Sequence, residues 1–428
     1  MSLTSELARA DSPIRLYIET EVPILGALSR GHPLREPVAR MLGMDDLPKE
    51  TVCPSPVPPR KRSVIGTALD YRARLHFGRT PASRLVAARG AADLCRGKCE
   101  PAHTLERPRS TMERGVVRFF AAYEKMLDRV QPVGRVPSLI EEGELARYCY
   151  GLALFEVIFR AGLLPGSPLT GFDPAQGEHG ILALADDDAV ADLVALGRGF
   201  TEDATSFNGM PFIGNPTFTG SLDVGGADAD FIIGDALCEL KTVSGVTPSN
   251  WRSWLTQLVG YALLDYDDRW GIRSLALWLP RQRRVVGYPV SLFVLPLTDL
   301  VKGRGVDDED AVAAGLAKLR GGLRNLIGPV VAATICTEDS EWHEGLRFRQ
   351  SNRETIVAYA EAVDAALAGN DSPLARFVDE YGYTMPGGAK RIMVDDIAHQ
   401  QHYLLTNGDD LRRFGERVEP RESPSPRR

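Results

Sequence analysis

The chain has 428 residues, 44% of them hydrophobic, and a formal net charge of −7 at pH 7. This length allows two or three domains with a substantial core. We find no run of about 18 or more apolar residues and no basic-then-apolar leader, so neither a membrane span nor a signal peptide is expected. The six cysteines lack the spacing of a disulfide framework. These features predict a cytoplasmic protein without a membrane partner.

The first part of the chain predicts an accessory region. Residues 1–105 favour helices, interrupted by a proline-rich connection at residues 45–62. Thr67 is a candidate N-cap for the helix that carries the following arginines. A capping-box pattern at residue 110 predicts a helix to about residue 130. We expect residues 1–105 to be a mostly helical accessory region.

A second helix is predicted from Glu144 to Ala161, ended by Gly162. Its middle is apolar nearly all round, which is typical of a buried helix. Glu156 lies within this apolar stretch. A buried carboxylate is unfavourable unless it is paired or bound to a metal. Two interpretations are therefore open, a metal ligand or a salt bridge to Arg160 one helical turn away.

Residues 186–188, three consecutive aspartates, are expected to begin a helix, since acids favour the first turn. Residues 207–222 are rich in Gly, Pro, Asn and Phe and predict an irregular strand that leads into the centre of the chain. Thr247 and Pro248 are a typical N-cap and first-turn proline of a further helix. Two strands, residues 274–279 and 285–290, follow that helix.

The central stretch, residues 225–241, predicts a β-hairpin closed by Gly234 and Asp235. With that turn at the tip, side chains on one face alternate along both strands and opposed Cβ atoms lie about 5 Å apart. The predicted pairs are Ile233 with Ala236, Ile232 with Leu237, Phe231 with Cys238, Asp230 with Glu239, and Asp228 with Lys241. Neighbouring carboxylates repel each other unless a cation joins them. Mg²⁺ or Mn²⁺ with oxygen ligands is such a cation, and its site is typically completed by water and substrate phosphate.

These residues resemble the Asp…(Asp/Glu)-x-Lys signature of the PD-(D/E)xK nuclease superfamily, over roughly residues 140–290. Gln257 and Tyr261 resemble the Gln-x-x-x-Tyr helix motif of its RecB-like branch. The chain departs from the pattern at Ala229, where the superfamily name has proline, and Asp228 remains an alternative first ligand to Asp230. The resemblance implies that the metal ligands are Asp230, Glu239, the Leu240 carbonyl and Glu156, and that the catalytic residues are Asp230, Glu239, Lys241, Gln257 and Tyr261.

The same resemblance implies an α/β, restriction-endonuclease-like core, a mixed central sheet flanked by helices, at residues 106–300. A C-terminal helical accessory region is expected at residues 301–412, with helices at residues 310–327 and 352–367, and a disordered tail at residues 413–428. The basic loop that contains Arg281, Arg283 and Arg284 is a candidate nucleic-acid contact, although ordinary surface charge is an equal alternative.

The leading hypothesis is a Mg²⁺- or Mn²⁺-dependent nuclease, with DNA favoured over RNA as the candidate substrate and with phage defence or DNA repair as its setting by analogy. The alternative is a nucleic-acid-binding module with a nuclease fold that is inactive or needs a partner. The expected partner is nucleic acid, and a protein partner or a homo-oligomer is left open. A Walker-type loop is absent from the sequence, which speaks against an intrinsic NTPase motor.

Overall fold

The computed structural model describes residues 3–48, 50–96, 109–221, 223–224, 226–303 and 308–337, and then only residues 376, 383–384, 390–396 and 401–405. The helices before the central sheet are α1 (Leu3–Ala8), α2 (Pro13–Glu21), α3 (Pro23–Ala27), α4 (Arg35–Met41), α5 (Arg62–Phe77), α6 (Val86–Arg96), α7 (Arg109–Val130), α8 (Leu139–Ala161), α9 (Glu178–Leu182) and α10 (Asp187–Ala204). The later helices are α11 (Pro248–Leu264), α12 (Ser291–Val294), α13 (Leu297–Val301) and α14 (Glu309–Thr337).

An open, mixed five-stranded sheet forms the centre of the described structure. Its strands are β1 (Phe212–Gly214), β2 (Phe231–Ile233), β3 (Ala236–Leu240), β4 (Ser274–Leu279) and β5 (Arg284–Pro289), and they lie in that order. All neighbours are antiparallel except β3 and β4, which are parallel. A parallel pair needs a crossover connection, and α11 provides it. The chain is therefore an α/β protein.

Alternation along the strands divides the core between the two faces of the sheet. Phe231, Ile233, Cys238 and Trp278 belong to the apolar cluster that contains the buried sides of α5 to α10. Residues of the opposite parity, such as Leu237, join the cluster formed with α1 to α4 and α11 to α14. The sheet thus lies between two helical layers, as period-2 side-chain alternation requires. The helices on both sides of residue 105 share the first layer.

Several local predictions are confirmed. The hairpin has the predicted register for its three strand pairs, with Ile233 opposite Ala236. The helix α8 ends at Gly162, whose φ of +74° suits glycine. Asp186 caps α10 by accepting a hydrogen bond from the amide of Ala189. Thr247 caps α11, with proline in its first turn.

Three predictions about the helical regions are wrong. The helix α5 begins at Arg62, and Thr67 lies inside it, where its hydroxyl donates to the carbonyl of Ser63. The helix α8 begins before residue 144, because Ser138 and Glu141 form a full capping box.

The third error concerns the expected helical region at residues 301–412. It contains α14 but also the strands β6 (Tyr383–Thr384), β7 (Lys390–Asp396) and β8 (Gln401–Leu405), which form an antiparallel sheet. β7 has seven residues and contains the β-branched Ile392 and Val394, which favour a strand over a helix. The predicted helix at residues 352–367 and the tail at residues 413–428 lie outside the described residues. Within the described part of the chain, no helix has the length and apolarity needed to cross a bilayer.

Candidate active site

The end of the hairpin opposite its turn brings Asp230 and Glu239 together. The backbone amide of Leu240 donates to Asp230 Oδ2 at 2.6 Å, which fixes that carboxylate against β3. The Asp230 carbonyl accepts from the amide of Asn215 at 2.9 Å and so prolongs the β1–β2 pairing. Burial, followed by the charges of Glu239 and Asp70, raises the pKa of Asp230 well above its usual value. The pairing inferred from the sequence thus corresponds to a close electrostatic contact.

A chain of hydrogen bonds runs from Glu239 through Lys241 to α11. Lys241 Nζ donates to Glu239 Oε1 at 2.7 Å and to Gln257 Oε1 at 3.0 Å. The amide nitrogen of Gln257 donates to the hydroxyl of Tyr261 at 2.9 Å. Tyr261 stacks on Phe218, with ring centroids 5.6 Å apart. Gln257 therefore orients the lysine that follows β3, and Tyr261 in turn holds Gln257.

Asp228 occupies a different position from the one predicted. Its backbone bridges Thr217, and the described β2–β3 ladder does not extend to it. Its carboxylate accepts two hydrogen bonds from Arg160, at 2.6 and 3.2 Å. The expected opposition to Lys241 is replaced by this ion pair, because the strand ladder starts only at Phe231.

Glu156 is buried, as predicted, and both of its oxygens are engaged. Oε1 accepts from Arg160 at 2.7 Å, and Oε2 accepts from the hydroxyl of Tyr71 at 2.6 Å. The salt bridge weighed against metal ligation is therefore present. Arg160 contacts both Glu156 and Asp228, so it links α8 to the segment that leads into β2.

The sequence interpretation missed the contribution of α5. Asp70 pairs with Arg74 one helical turn away, and Tyr71 lies between them in sequence. Burial, only partly offset by Arg74 and reinforced by Glu156, raises the pKa of Asp70 to about 7. The signal available in the sequence was an acid and an arginine four residues apart within a largely apolar helix.

The cations of this site are shared among several carboxylates. In the described structure, Arg74 pairs with Asp70, Arg160 with Glu156 and Asp228, and Lys241 with Glu239, whereas Asp230 accepts from a backbone amide. Two carboxylate oxygens, Asp70 Oδ1 and Glu239 Oε2, are buried without a hydrogen-bond partner in the described structure. Unpaired buried carboxylate oxygens are unfavourable and suit a hard divalent cation.

The described residues contain no three His, Cys, Asp or Glu side chains arranged to enclose a metal ion. Mg²⁺ commonly binds through one or two carboxylates and keeps several waters. The pair formed by Asp230 and Glu239 fits that mode of binding. The described residues do not form a closed, all-protein cage around an ion.

The basic loop does not match its predicted role at one position. Arg281 is fully buried and forms a two-pronged ion pair with Asp192, at 2.8 and 2.9 Å. It is therefore not available to a phosphate. Arg283 and Arg284 are partly exposed and pair with acids at the surface, so the candidate contact is reduced to these two residues.

Comparison with known proteins gives no family for the chain. No protein-family model matches it, and neither the curated proteins nor the solved structures gave a significant match. The site is therefore interpreted from its own geometry and chemistry.

Proposed function

We propose that the protein is a metal-dependent nuclease of the PD-(D/E)xK type that hydrolyses phosphodiester bonds, with DNA as the favoured candidate substrate and RNA as the alternative. One observation carries the proposal. Asp230, Glu239 and Lys241 meet at one end of the hairpin, and Gln257 holds the lysine at 3.0 Å. A stabilising ion pair would not need two adjacent carboxylates, a buried unpaired oxygen and a lysine oriented from a second element.

Asp230, Glu239 and the Leu240 carbonyl are the proposed metal ligands. Bound Mg²⁺ or Mn²⁺ would supply a Lewis acid and lower the pKa of a water molecule. Lys241, which is 19% exposed, is suited to orient the attacking water or to neutralise phosphate charge. Gln257 and Tyr261 are positioning residues, since they act on the substrate only through Lys241.

Glu156 completes the proposed ligand set from α8. Its Oε1 is held by Arg160, which is already bound to Asp228. Ligation by Glu156 therefore requires Arg160 to release Oε1 while it keeps Asp228. Asp228, as the alternative ligand, would need the same arginine to leave, which makes Asp230 the better candidate.

The topology supports a restriction-endonuclease-like core. A helix (α8) precedes three antiparallel strands (β1 to β3), and a crossover helix (α11) leads to a parallel strand (β4). This order agrees with the mixed central sheet flanked by helices that the sequence resemblance implies. A role in phage defence or DNA repair, in the cytoplasm, remains part of the proposal by analogy only.

The nucleic acid would approach a chain of net charge −7, so local cations must provide the attraction. Arg160, Arg283 and Arg284 are cations with exposed side chains, at 46%, 32% and 40%. Of these, only Arg160 lies in the acidic site. We propose it as the phosphate contact nearest the metal.

The test is cleavage of linear, circular and single-stranded DNA, with an RNA control, in Mg²⁺, Mn²⁺ or EDTA. Wild type is compared with Asp230→Ala and Lys241→Ala, and with Asp128→Ala as a matched control, because Asp128 is a surface acid paired with Arg79 outside the site. We expect metal-dependent cutting that both site variants lose and the control keeps. Cutting of circular DNA would identify an endonuclease.

Metal-independent cutting, or equal cutting by all four proteins, would contradict the proposal. DNA binding without cleavage in any metal would favour the alternative, a binding module that is inactive or requires a protein partner or a second copy of the chain.

A further inference from the structure

Arg160 is the exposed member of a hydrogen-bond chain that starts in α6. The backbone amide of Ala87 donates to the hydroxyl of Tyr71 at 3.1 Å, and that hydroxyl donates to Glu156 Oε2 at 2.6 Å. Glu156 Oε1 accepts from Arg160 Nε at 2.7 Å, and the two Nη atoms of Arg160 donate to Asp228. Tyr71 and Glu156 are 2% and 5% exposed, whereas the Arg160 side chain is 46% exposed. The chain therefore runs from the core to a surface cation.

The hydrogen bonds of Arg160 leave part of its guanidinium group free. A guanidinium has five N–H groups. Three of them take part in the hydrogen bonds to Glu156 and Asp228. In the described structure, two N–H groups thus remain on a side chain that is nearly half exposed. They can bind a phosphate oxygen without breaking either ion pair.

The buried pair formed by Arg72 and Glu142 shows the arrangement without such a tyrosine. Arg72 donates through Nε and Nη2 to the two oxygens of Glu142, at 2.7 and 2.9 Å. Both side chains are at most 1% exposed. This two-pronged contact is the usual geometry of an arginine and a carboxylate. Glu156 gives Arg160 only one oxygen, because Tyr71 occupies the other.

We propose that Tyr71 is a positioning residue for a substrate phosphate: by holding one oxygen of Glu156, it prevents Arg160 from closing on that carboxylate with two hydrogen bonds. This inference rests on the proposed function, in which Arg160 contacts a phosphate. It adds a hydroxyl from α5, outside the part of the chain that the resemblance covers. Burial and the charge of Glu156 raise the pKa of Tyr71 well above its usual value, so the hydroxyl stays protonated and donates. The guanidinium of Arg74 lies 4.6 Å from the centroid of the tyrosine ring and helps to fix it.

Loss of the Tyr71 hydroxyl has a specific consequence. In Tyr71→Phe, Glu156 Oε2 becomes a buried carboxylate oxygen without a donor, which is unfavourable. Arg160 already contacts the same carboxylate and has N–H groups to spare. The two side chains then form the two-pronged contact seen between Arg72 and Glu142. Fewer N–H groups remain for a phosphate, so nucleic acid binds more weakly.

The test measures binding of a fluorescein-labelled single-stranded DNA in EDTA, by fluorescence anisotropy over a range of salt concentrations. The proteins are wild type, Tyr71→Phe, Arg160→Gln, the double variant and the control Tyr150→Phe. Tyr150 is also a buried tyrosine, but its hydroxyl has no hydrogen-bond partner in the described structure. We expect the Kd to rise about tenfold in Tyr71→Phe and in Arg160→Gln, since a hydrogen bond between charged groups is lost. Tyr150→Phe should bind as wild type does.

The double variant distinguishes positioning from a general effect on the fold. Since Tyr71 acts through Arg160, adding Tyr71→Phe to Arg160→Gln should change the Kd by less than about twofold. The slope of log Kd against log salt concentration should decrease by about 0.7, the value of one phosphate contact on a single strand, in both single variants and in the double variant.

The outcomes separate this inference from the proposed function. Wild-type binding by Tyr71→Phe, together with weaker binding by Arg160→Gln, would overturn the role of Tyr71 alone. Additive losses in the double variant would also overturn it, because the effect of Tyr71 would then be independent of Arg160. Wild-type binding by Arg160→Gln would overturn the phosphate contact and this inference, but would leave metal-dependent cleavage standing. Wild-type protein that neither binds nor cuts DNA would overturn both.

A further pair of variants covers the case in which Tyr71→Phe does not fold. Tyr71→Phe combined with Glu156→Gln removes the buried charge together with its donor. An amide cannot close on a guanidinium with two oxygens, so the combined variant should bind DNA with the Kd of Glu156→Gln alone. Binding about tenfold weaker than that of Glu156→Gln would overturn the proposal, because Tyr71 would then act without the carboxylate.

Discussion

Arg281 tests whether a residue of the basic loop stabilises the fold or binds nucleic acid. Its guanidinium and the Asp192 carboxylate are both fully buried and form two hydrogen bonds. The same guanidinium donates to the carbonyls of Thr242 and Cys53, at 2.9 and 3.1 Å. It therefore ties α10, the end of β3 and the proline-rich connection together, and its contribution should be to stability.

Arg281→Ala leaves the buried Asp192 carboxylate with the hydroxyl of Ser55 as its remaining hydrogen-bond donor in the described structure. Breaking a buried ion pair by removing one partner typically lowers the free energy of unfolding by about 3–5 kcal/mol. This is a large part of the total stability of a typical domain, about 5–15 kcal/mol. The midpoint of urea unfolding, with its m-value, measures the change.

Two further variants sharpen the comparison. Arg283→Ala removes a partly exposed cation paired with Asp203 and should change the free energy of unfolding by less than about 1 kcal/mol. Arg281→Met combined with Asp192→Leu replaces the pair by apolar side chains and should recover most of the loss. An Arg281→Ala protein of near wild-type stability that binds DNA weakly would refute the structural assignment.

Three more outcomes are expected. Gln257→Ala should lower kcat about 10- to 100-fold with little change in KM, because a hydrogen bond to charged Lys241 contributes about 1.5–3 kcal/mol. Steady-state cleavage kinetics measure this change. An unchanged kcat would contradict the positioning role of Gln257. In metal-free protein, the raised pKa of Asp70, about 7 against 3.8, means that the native state keeps a proton that the unfolded chain has lost. The contribution of Asp70 to the free energy of unfolding is therefore most favourable below pH 4 and is lost between pH 4 and pH 7, by at most about 4 kcal/mol. Urea unfolding in EDTA should show that Asp70→Asn gains stability relative to wild type as the pH rises. A stability difference that stays constant with pH would contradict this expectation. Gly90→Ala should lower the free energy of unfolding by about 3 kcal/mol, because its Cβ would lie 1.8 Å from a backbone carbonyl oxygen of α8. Gly143→Ala has open space around it and should be neutral or slightly stabilising. Thermal unfolding measures both variants.

The hairpin shows how much local sequence can specify. A two-residue Gly–Asp turn fixes the register of β2 and β3, and side-chain alternation then brings Asp230 beside Glu239. The four-residue spacing of Gln257 and Tyr261 likewise places both on one helix face. These inferences need only the local geometry of one turn, two strands and a helix.

Long-range contacts were beyond such reasoning. The charge of Asp70 acts on Asp230 because α5 packs against β1, where Phe77 stacks on Phe212, and no local pattern specifies that contact. The burial of Arg281 depends on Asp192, which is 89 residues away. Charged residues in a loop usually indicate exposed surface, and here tertiary packing overrides that expectation. Asp228 was placed incorrectly because the strand ladder ends before reaching it.

The most direct test of the account is the rate of DNA cleavage by Glu239→Gln, an isosteric change at the carboxylate bound to Lys241. Wild type and variant are first stripped with EDTA and then supplied with Mg²⁺ or Mn²⁺, under conditions in which both remain folded by circular dichroism. The account predicts metal-dependent cleavage by wild type and a loss of at least about a thousandfold in the variant, since a metal ligand and the partner of the lysine are removed together. Cleavage at the wild-type rate by Glu239→Gln would contradict it.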